Sequence, residues 1–349
     1  MTVIVSAPTQ PVTSFDRLVE EGQLLPIHQY DRIVVSFSGG KDSLAMTLQM
    51  LEWACDEQDY PKDQIELWHQ DIDGGNKLMD WPCTRSYCQQ VAAHLGLEIR
   101  FQWKEGGFEG ELLRENERTK GVYFEDELYQ IQYLPPQQRK DGKDKKTRRK
   151  WPAKSANLQT RWCSAYLKID VAKRALNNDP RFRQGNFLFL TGERRQESVA
   201  RSKYNEVERH PTTNRRRRTD QWRSIIDWDE REVWQTIEKW GLIPHPAYRL
   251  GWNRVSCMAC IFGNSHQWAA VRHIAPVTFE KIAQYERDFD HTIDNRRSVV
   301  EMANNGQSFV SASQTLIDLA MSEHYPADLV HTDSWELPFG AFKRGGGPT

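Results

Sequence analysis

The chain has no apolar run approaching the length of a membrane span, and its first stretch, MTVIVSAPTQPVTSF, lacks both a charged n-region and a long h-region. The first absence argues against a membrane span; the second makes the cytoplasm the expected compartment. Neither G-x-x-x-x-G-K-[ST] nor G-x-G-x-x-G occurs, which disfavours ordinary kinases and dinucleotide oxidoreductases. Charge of one sign is lacking overall, with 47 Lys and Arg against 48 Asp and Glu, so any attraction for a charged partner must come from local runs. Cysteine is sparse: six residues, at 55, 83, 88, 163, 257 and 260. In a cytosolic chain of this size, that number points to metal or redox use rather than disulfides. No internal repeat is visible.

A hydrophobic content of 38% with 13 Trp is enough for a substantial core, in one large domain or a core domain with an appendage. The organising stretch is Arg32–Ser43, RIVVSFSGGKDS. Ile33–Phe37 reads as a short buried strand, Ser38-Gly39-Gly40-Lys41-Asp42-Ser43 as a turn, and LAMTLQMLEW as a helix. Glycines let backbone approach an anion, a helix N-terminus offers unpaired N–H groups, and the hydroxyls of Ser38 and Ser43 add donors. Further strands are expected at Ile65–His69, Glu98–Trp103 and Phe187–Thr191, with helices at Phe15–Glu21, Arg85–Leu95 and Glu230–Trp240. Alternating strands and helices predict an α/β fold with a parallel sheet and ligands at the carboxyl ends of its strands. Residues 1–30 read as a lead, 31–265 as the main domain with an insertion at about 104–160, and 266–349 as a helical C-terminal region.

SGGKDS resembles the PP-loop, SGGxDS, of ATP pyrophosphatases, which cut ATP between the α- and β-phosphates. Thr191–Ser198, TGERRQES, looks like the G-x-R-x-x-E-S element that accompanies this loop in the phosphoadenosine phosphosulfate (PAPS) reductase-like superfamily. The resemblance implies an adenine nucleotide α-hydrolase-like fold. It implies ATP contacts from Ser36, Ser38, Gly39, Gly40, Asp42 and Ser43, and from Gly192, Arg194, Glu197 and Ser198. Lys41, Asp42 and Arg194 would be the catalytic groups, stabilising charge as magnesium pyrophosphate leaves. Asp71 or Asp73, at the end of the second strand, is a candidate to position Mg2+.

Cys257-Met258-Ala259-Cys260 is a C-x-x-C, with Cys163 upstream in RWCSAYLKID. Three thiolates could hold a metal or an iron–sulfur cluster; structural zinc and buried free thiols are the alternatives. Iron–sulfur members of the superfamily have cysteines in similar segments, so the resemblance implies a cluster, of the 4Fe–4S kind, on Cys163, Cys257 and Cys260. Several members carry two adjacent cysteines where this chain has Cys163-Ser164. The fourth ligand is therefore open among Cys83, Cys88, a non-cysteine group and a substrate sulfur. Cys55 is expected in the core, and Cys83 and Cys88 are expected to be structural.

Two basic runs, Arg139–Lys150 and Arg215–Arg218, with Trp151, Trp162 and Trp222 nearby in sequence, predict contact with DNA or RNA at the ligand edge of the sheet. The resemblance extends to the DNA phosphorothioation ATP pyrophosphatases, which work with a cysteine desulfurase and other modification subunits. It implies adenylation of a backbone oxygen followed by sulfur incorporation. The alternatives are a PAPS or adenylyl-sulfate reductase, a tRNA thiolation enzyme and a non-catalytic nucleotide-dependent regulator. The reductases attack sulfur with a cysteine near their C-terminus, and none of the residues after Cys260 is a cysteine.

Overall fold

A computed structural model describes residues 11–138, 144–255, 257–310 and 313–342. The expected α/β architecture is present as one eight-stranded sheet of order β5-β4-β3-β2-β1-β6-β8-β7. Its strands are β1 (Arg32–Ser36), β2 (Ile65–Asp71), β3 (Glu98–Lys104), β4 (Val122–Glu125), β5 (Ile131–Leu134), β6 (Gly185–Leu190), β7 (Val207–Arg209) and β8 (Arg217–Trp222). β3, β2, β1, β6 and β8 run parallel, while β4 and β5 on one edge and β7 on the other are antiparallel.

The parallel strands are buried on both faces, as crossover helices require. On one face, Ile33, Val35, Leu67, Ile99, Leu188 and Leu190 join the large core of the helices Lys41–Met50, Thr84–Leu95 and Glu230–Lys239. On the other, Val34, Trp68, Phe124, Phe187 and Phe189 pack against Ala172, Ala175 and Leu176 of the helix Asp170–Asn178. Residues after 265 form helices at Ser265–Ile274, Pro276–Phe289, Val299–Asn304 and Gln314–Met321. No helix among the described residues is long and apolar enough to cross a membrane.

Two strand regions depart from expectation. The stretch read as an insertion supplies the hairpin β4–β5, which extends the sheet beyond β3. The run Arg215–Arg218 enters β8, whose pairing starts at Gly185↔Arg217 and ends at Leu190↔Trp222. It therefore lies at the amino end of the parallel strands, opposite the ligand edge where it was expected. Arg217 is only 3% exposed. Its guanidinium donates to the carbonyls of Leu176, Phe182 and Thr212, tying the strand to the helix beneath it. Arg218 is paired with Asp220 at 2.8 Å.

Candidate active site

β1 ends at Ser36, and the chain turns through Gly39 at φ +74° into the helix that begins at Lys41. The turn is packed from below: a Cβ on Gly39 would lie 2.9 Å from Cys88 Sγ, and one on Gly40 2.9 Å from the Val255 carbonyl. Ser43 Oγ donates to the Gly40 carbonyl at 2.9 Å and accepts from Ser38 N–H at 3.2 Å, so the two serines brace the loop. The Lys41 amide donates to the buried Tyr248 hydroxyl at 2.8 Å. The N–H groups of Asp42 and Ser43, in the same first turn, find no acceptor among the described residues, the condition for receiving an anion.

The second motif closes on this loop from β6. Arg194 Nε donates to Asp42 Oδ1 at 2.6 Å, and the backbone of Gly192 approaches Asp42 so closely that a Cβ would touch its carbonyl carbon at 3.4 Å. Arg194 is 3% exposed and is fixed further by Gln196 and the Trp228 carbonyl. Glu197 accepts from the Arg194 N–H at 2.9 Å and pairs with Arg201, while Ser198 Oγ accepts from the Arg201 amide. Glu197 and Ser198 thus shape the second loop. Lys41 Nζ lies 3.6 Å from Asp42 and 3.4 Å from Glu230, and donates to the Asn253 carbonyl at 3.2 Å. Burial opposes charge on Lys41 and Asp42, but Lys41, Arg194 and Arg254 hold Asp42 below the usual carboxylate range, and Asp42 and Glu230 hold Lys41 above the usual amine range.

The cysteine segment packs directly on this loop through Asn253 and Val255. Cys257 and Cys260 line a small pocket with Trp252 and Arg254. Burial pushes the Cys163 thiol up to about 11, with Cys260 adding to the rise and Lys168 and Arg161 opposing it. Cys257 is pushed well above the usual thiol value, again by burial, with Cys260 and Cys163 contributing. The three cysteines therefore share one neighbourhood. Three thiols suit iron–sulfur or zinc chemistry as a donor set. Among the described residues, however, no group of three or more His, Cys, Asp or Glu side chains closes on a single metal ion. Cys83 and Cys88 are buried, Cys83 beside His245 at 3.4 Å, as expected of structural residues.

A cleft of about 410 Å³ opens at the carboxyl end of β2, lined by His69, Asp71, Asp73, Asp80, Arg85 and their neighbours. The Asp73 carboxylate accepts N–H bonds from Leu78, Met79 and Asp80, so it closes its own loop. Asp71 keeps one carboxylate oxygen on its own turn, accepting from the Asp73 and Gly74 amides. Burial raises Asp73 to about 6, and burial with the charge of Asp73 raises Asp80 to about 8.

Of the first basic run, Arg139–Lys143 lie outside the described residues. Arg148 is held by the buried Glu111 and Arg149 by Glu115, leaving Lys145, Lys146 and Lys150 exposed. Trp151, Trp162 and Trp222 are buried and offer no stacking surface. Sequence reasoning missed Tyr248, Glu230, Asn253 and Arg254, which reach the loop from the far side of the chain. No local signal marks them, because their role arises only when the segment around residue 250 packs on residue 40.

A glycine turn at the carboxyl end of β1, an arginine bridging to it from β6 and a thiol-rich segment beside both make up the candidate site of this α/β protein. Residues 123–262 match the family described as the phosphoadenosine phosphosulfate reductase domain, and the chain is PAPS reductase-like over that span. The match takes in GERRQES and all three cysteines and starts beyond the loop at 38–43. The chain is 26% identical over 137 residues to an "Uncharacterized 37.8 kDa protein in gpa 5'region" of Escherichia phage 186, a match covering 39% of this chain and 40% of that relative. Among solved structures, it is similar to Candida glabrata FMN adenylyltransferase with FMN and the ATP analogue AMPCPP, at 10% identity over 73% of this chain and 67% of that one, with a TM-score of 0.40. The same enzyme in complex with ATP gives 9% identity, coverage of 73% and 65%, and a TM-score of 0.38.

Proposed function

We propose that this protein is an ATP pyrophosphatase that adenylates a nucleic-acid backbone oxygen so that sulfur can replace it, as in DNA phosphorothioate modification. The observation that carries the reading is the 2.6 Å bridge from Arg194 to Asp42, which joins the two ATP motifs at one sheet edge. The amides of Asp42 and Ser43, with the hydroxyls of Ser38 and Ser43, receive the β- and γ-phosphates. Lys41 and Arg194 offset the negative charge that grows as pyrophosphate departs. A non-bridging oxygen of the acceptor attacks the α-phosphorus, a new P–O bond forms, and the bond to the β-phosphate breaks. Sulfide-level sulfur, freed from the persulfide of a cysteine desulfurase by a thiol reductant, then attacks the acceptor phosphorus, a P–S bond forms, and the adenylated oxygen leaves with AMP. Magnesium would sit with the leaving pyrophosphate, with Asp71 the available carboxylate. Cys163, Cys257 and Cys260 would hold an iron–sulfur cluster, which when bound supplies an iron site for sulfur. Exposed Lys145, Lys146 and Lys150 supply phosphate contacts for the acceptor.

The test is pyrophosphate release from ATP by cluster-replete, anaerobic protein, with and without DNA and the desulfurase. Release stimulated by DNA is expected. No pyrophosphate under any of these conditions sinks the reading, and sulfite formed from an adenylyl sulfate replaces it with a reductase. Cys257→Ala is expected to lose bound iron; unchanged iron content places the ligands elsewhere.

A further inference from the structure

The exposed aromatic side chains that the basic runs lack occur elsewhere, on the hairpin β4–β5. β3, β4 and β5 set Trp103, Tyr123 and Tyr133 opposite one another in register, so all three rings share one face of the sheet. Trp103 and Tyr123 are stacked, with centroids 5.4 Å apart and planes at 21°, and Tyr123 and Tyr133 follow at 4.8 Å and 41°. At the inner end, the Arg85 guanidinium lies 3.7 Å from the Phe101 centroid and 5.8 Å from that of Trp103, held by Glu125 at 2.7 Å. Arg85 also lines the 410 Å³ cleft at the end of β2. A row of flat groups therefore runs from that cleft across three strands to Tyr133, which is 45% exposed on the sheet's edge strand.

Two details favour a ligand over hairpin stability alone. Cross-strand aromatic pairs do stabilise hairpins, and that accounts for Tyr123. The outer ring is set with more care than stability asks. A Cβ on Gly121 would lie 2.4 Å from the Tyr133 ring, so only glycine lets the ring settle there, and the Tyr133 hydroxyl donates to Glu105 at 2.9 Å to fix its plane. From Ile131 to Gln138 the sequence carries no charge, and Ile131 is 60% exposed beside the ring. This is a planar, uncovered end to the row, with the Glu105 carboxylate at the ring's hydroxyl.

We propose that the row is a base-stacking track for single-stranded nucleic acid, presenting an unpaired stretch of the acceptor to the cleft and the ATP site. The inference rests on the reading that the acceptor is a nucleic acid, and it deepens that reading by naming the strand state. Bases inside a duplex stack on one another and cannot add to Tyr133, whereas unpaired bases of any identity can. Phosphate contacts are not part of the track, so its contribution is insensitive to salt, unlike that of lysines.

The test measures binding of full-length protein to oligothymidylate, oligouridylate and an abasic oligomer of equal length. The wild type is expected to prefer the first two to the abasic oligomer. Tyr133→Ala should weaken oligothymidylate binding about 5- to 150-fold, the worth of one base–aromatic stack, by a ratio that salt does not change. Tyr133→Phe, which keeps the ring but loses the bond that fixes its plane, should weaken binding less than Tyr133→Ala, and Gly121→Ala, which keeps every ring but displaces the last, should weaken it as Tyr133→Ala does. Pyrophosphate release from ATP alone should be unchanged in Tyr133→Ala. Equal affinity for oligothymidylate and the abasic oligomer, unaffected by Tyr133→Ala, overturns the track and leaves the nucleic-acid acceptor standing. No binding to any oligomer overturns both. A preference between the thymidylate and uridylate arms tells DNA from RNA.

Discussion

Gly39→Ala places a methyl group 2.9 Å from Cys88 Sγ and 3.3 Å from the Tyr87 ring, on a residue whose φ is +74°. The two costs are separable. Left-handed backbone costs an alanine about 1–2 kcal/mol wherever it sits. Forcing a methyl into a packed interior costs about 1–3 kcal/mol, because Cys88 and Tyr87 are both fully buried and have little room to retreat. Gly39→Ala is therefore expected to lose about 2–5 kcal/mol. Cys88→Ala removes the sulfur that the methyl meets first, so in the double variant most of the packing cost vanishes and the backbone cost stays. A double-mutant cycle should then give a favourable coupling of about 1–3 kcal/mol. The assay is urea unfolding of the four proteins at fixed protein concentration, with stability taken from midpoint and slope. Pyrophosphate release should follow the same order, lost in Gly39→Ala and partly regained with Cys88→Ala. Zero coupling, or wild-type stability in Gly39→Ala, refutes the account of a loop shaped from beneath by the helix Thr84–Leu95.

Asp42→Asn keeps the shape of the side chain but leaves Lys41 and Arg194 without their shared counter-charge. Pyrophosphate release should fall by about 100-fold or more and stability by about 3 kcal/mol, and a wild-type rate removes Asp42 from the machinery. Arg217→Met should cost about 1.5–3 kcal/mol by urea unfolding, since charged hydrogen bonds to buried carbonyls are lost, with no change in the salt slope of oligonucleotide binding. A reduced slope would return that arginine to the interface. The carboxyl groups of Asp73 and Asp80, raised to about 6 and about 8 from 3.8, bind protons more readily folded than unfolded. Their contribution to stability is full below pH 3.8 and is lost as pH rises through about 6 and then about 8. Asp80→Asn, whose amide oxygen can still accept from the Trp81 N–H, should match wild type below pH 3.8 and exceed it by a margin that grows with pH up to about 8 in urea melts. Parallel curves across that range contradict the assignment.

What could be read from the sequence was local or tied to strand ends. SGGKDS is contiguous, so its turn and helix were legible residue by residue. The meeting of Arg194 with Asp42 was legible because both follow strands whose carboxyl ends share an edge. Arg217 was misread because a charge run predicts solvent, and only the folded chain brings the carbonyls of Leu176, Phe182 and Thr212 together around it. The hairpin β4–β5 lay within a polar, lysine-rich stretch whose composition resembles a loop, and its aromatic alternation is only four residues long in each strand. Asp73 accepts from three N–H groups of its own loop, a closure that spacing alone does not reveal. Tyr248 and Asn253 had no signal at all, since their partners lie more than 200 residues away.

One hydroxyl has a wider reach than its size implies. Tyr248 Oη accepts from the Lys41 amide at 2.8 Å and from the Val255 amide at 3.3 Å, so a single buried oxygen is the pivot between the phosphate loop and the segment entering the C-x-x-C. An ångström of movement on either side must be matched on the other or break a buried hydrogen bond. The phosphate loop and the thiol-rich segment are therefore tied through one oxygen, and Tyr248→Phe would leave both amides without this acceptor.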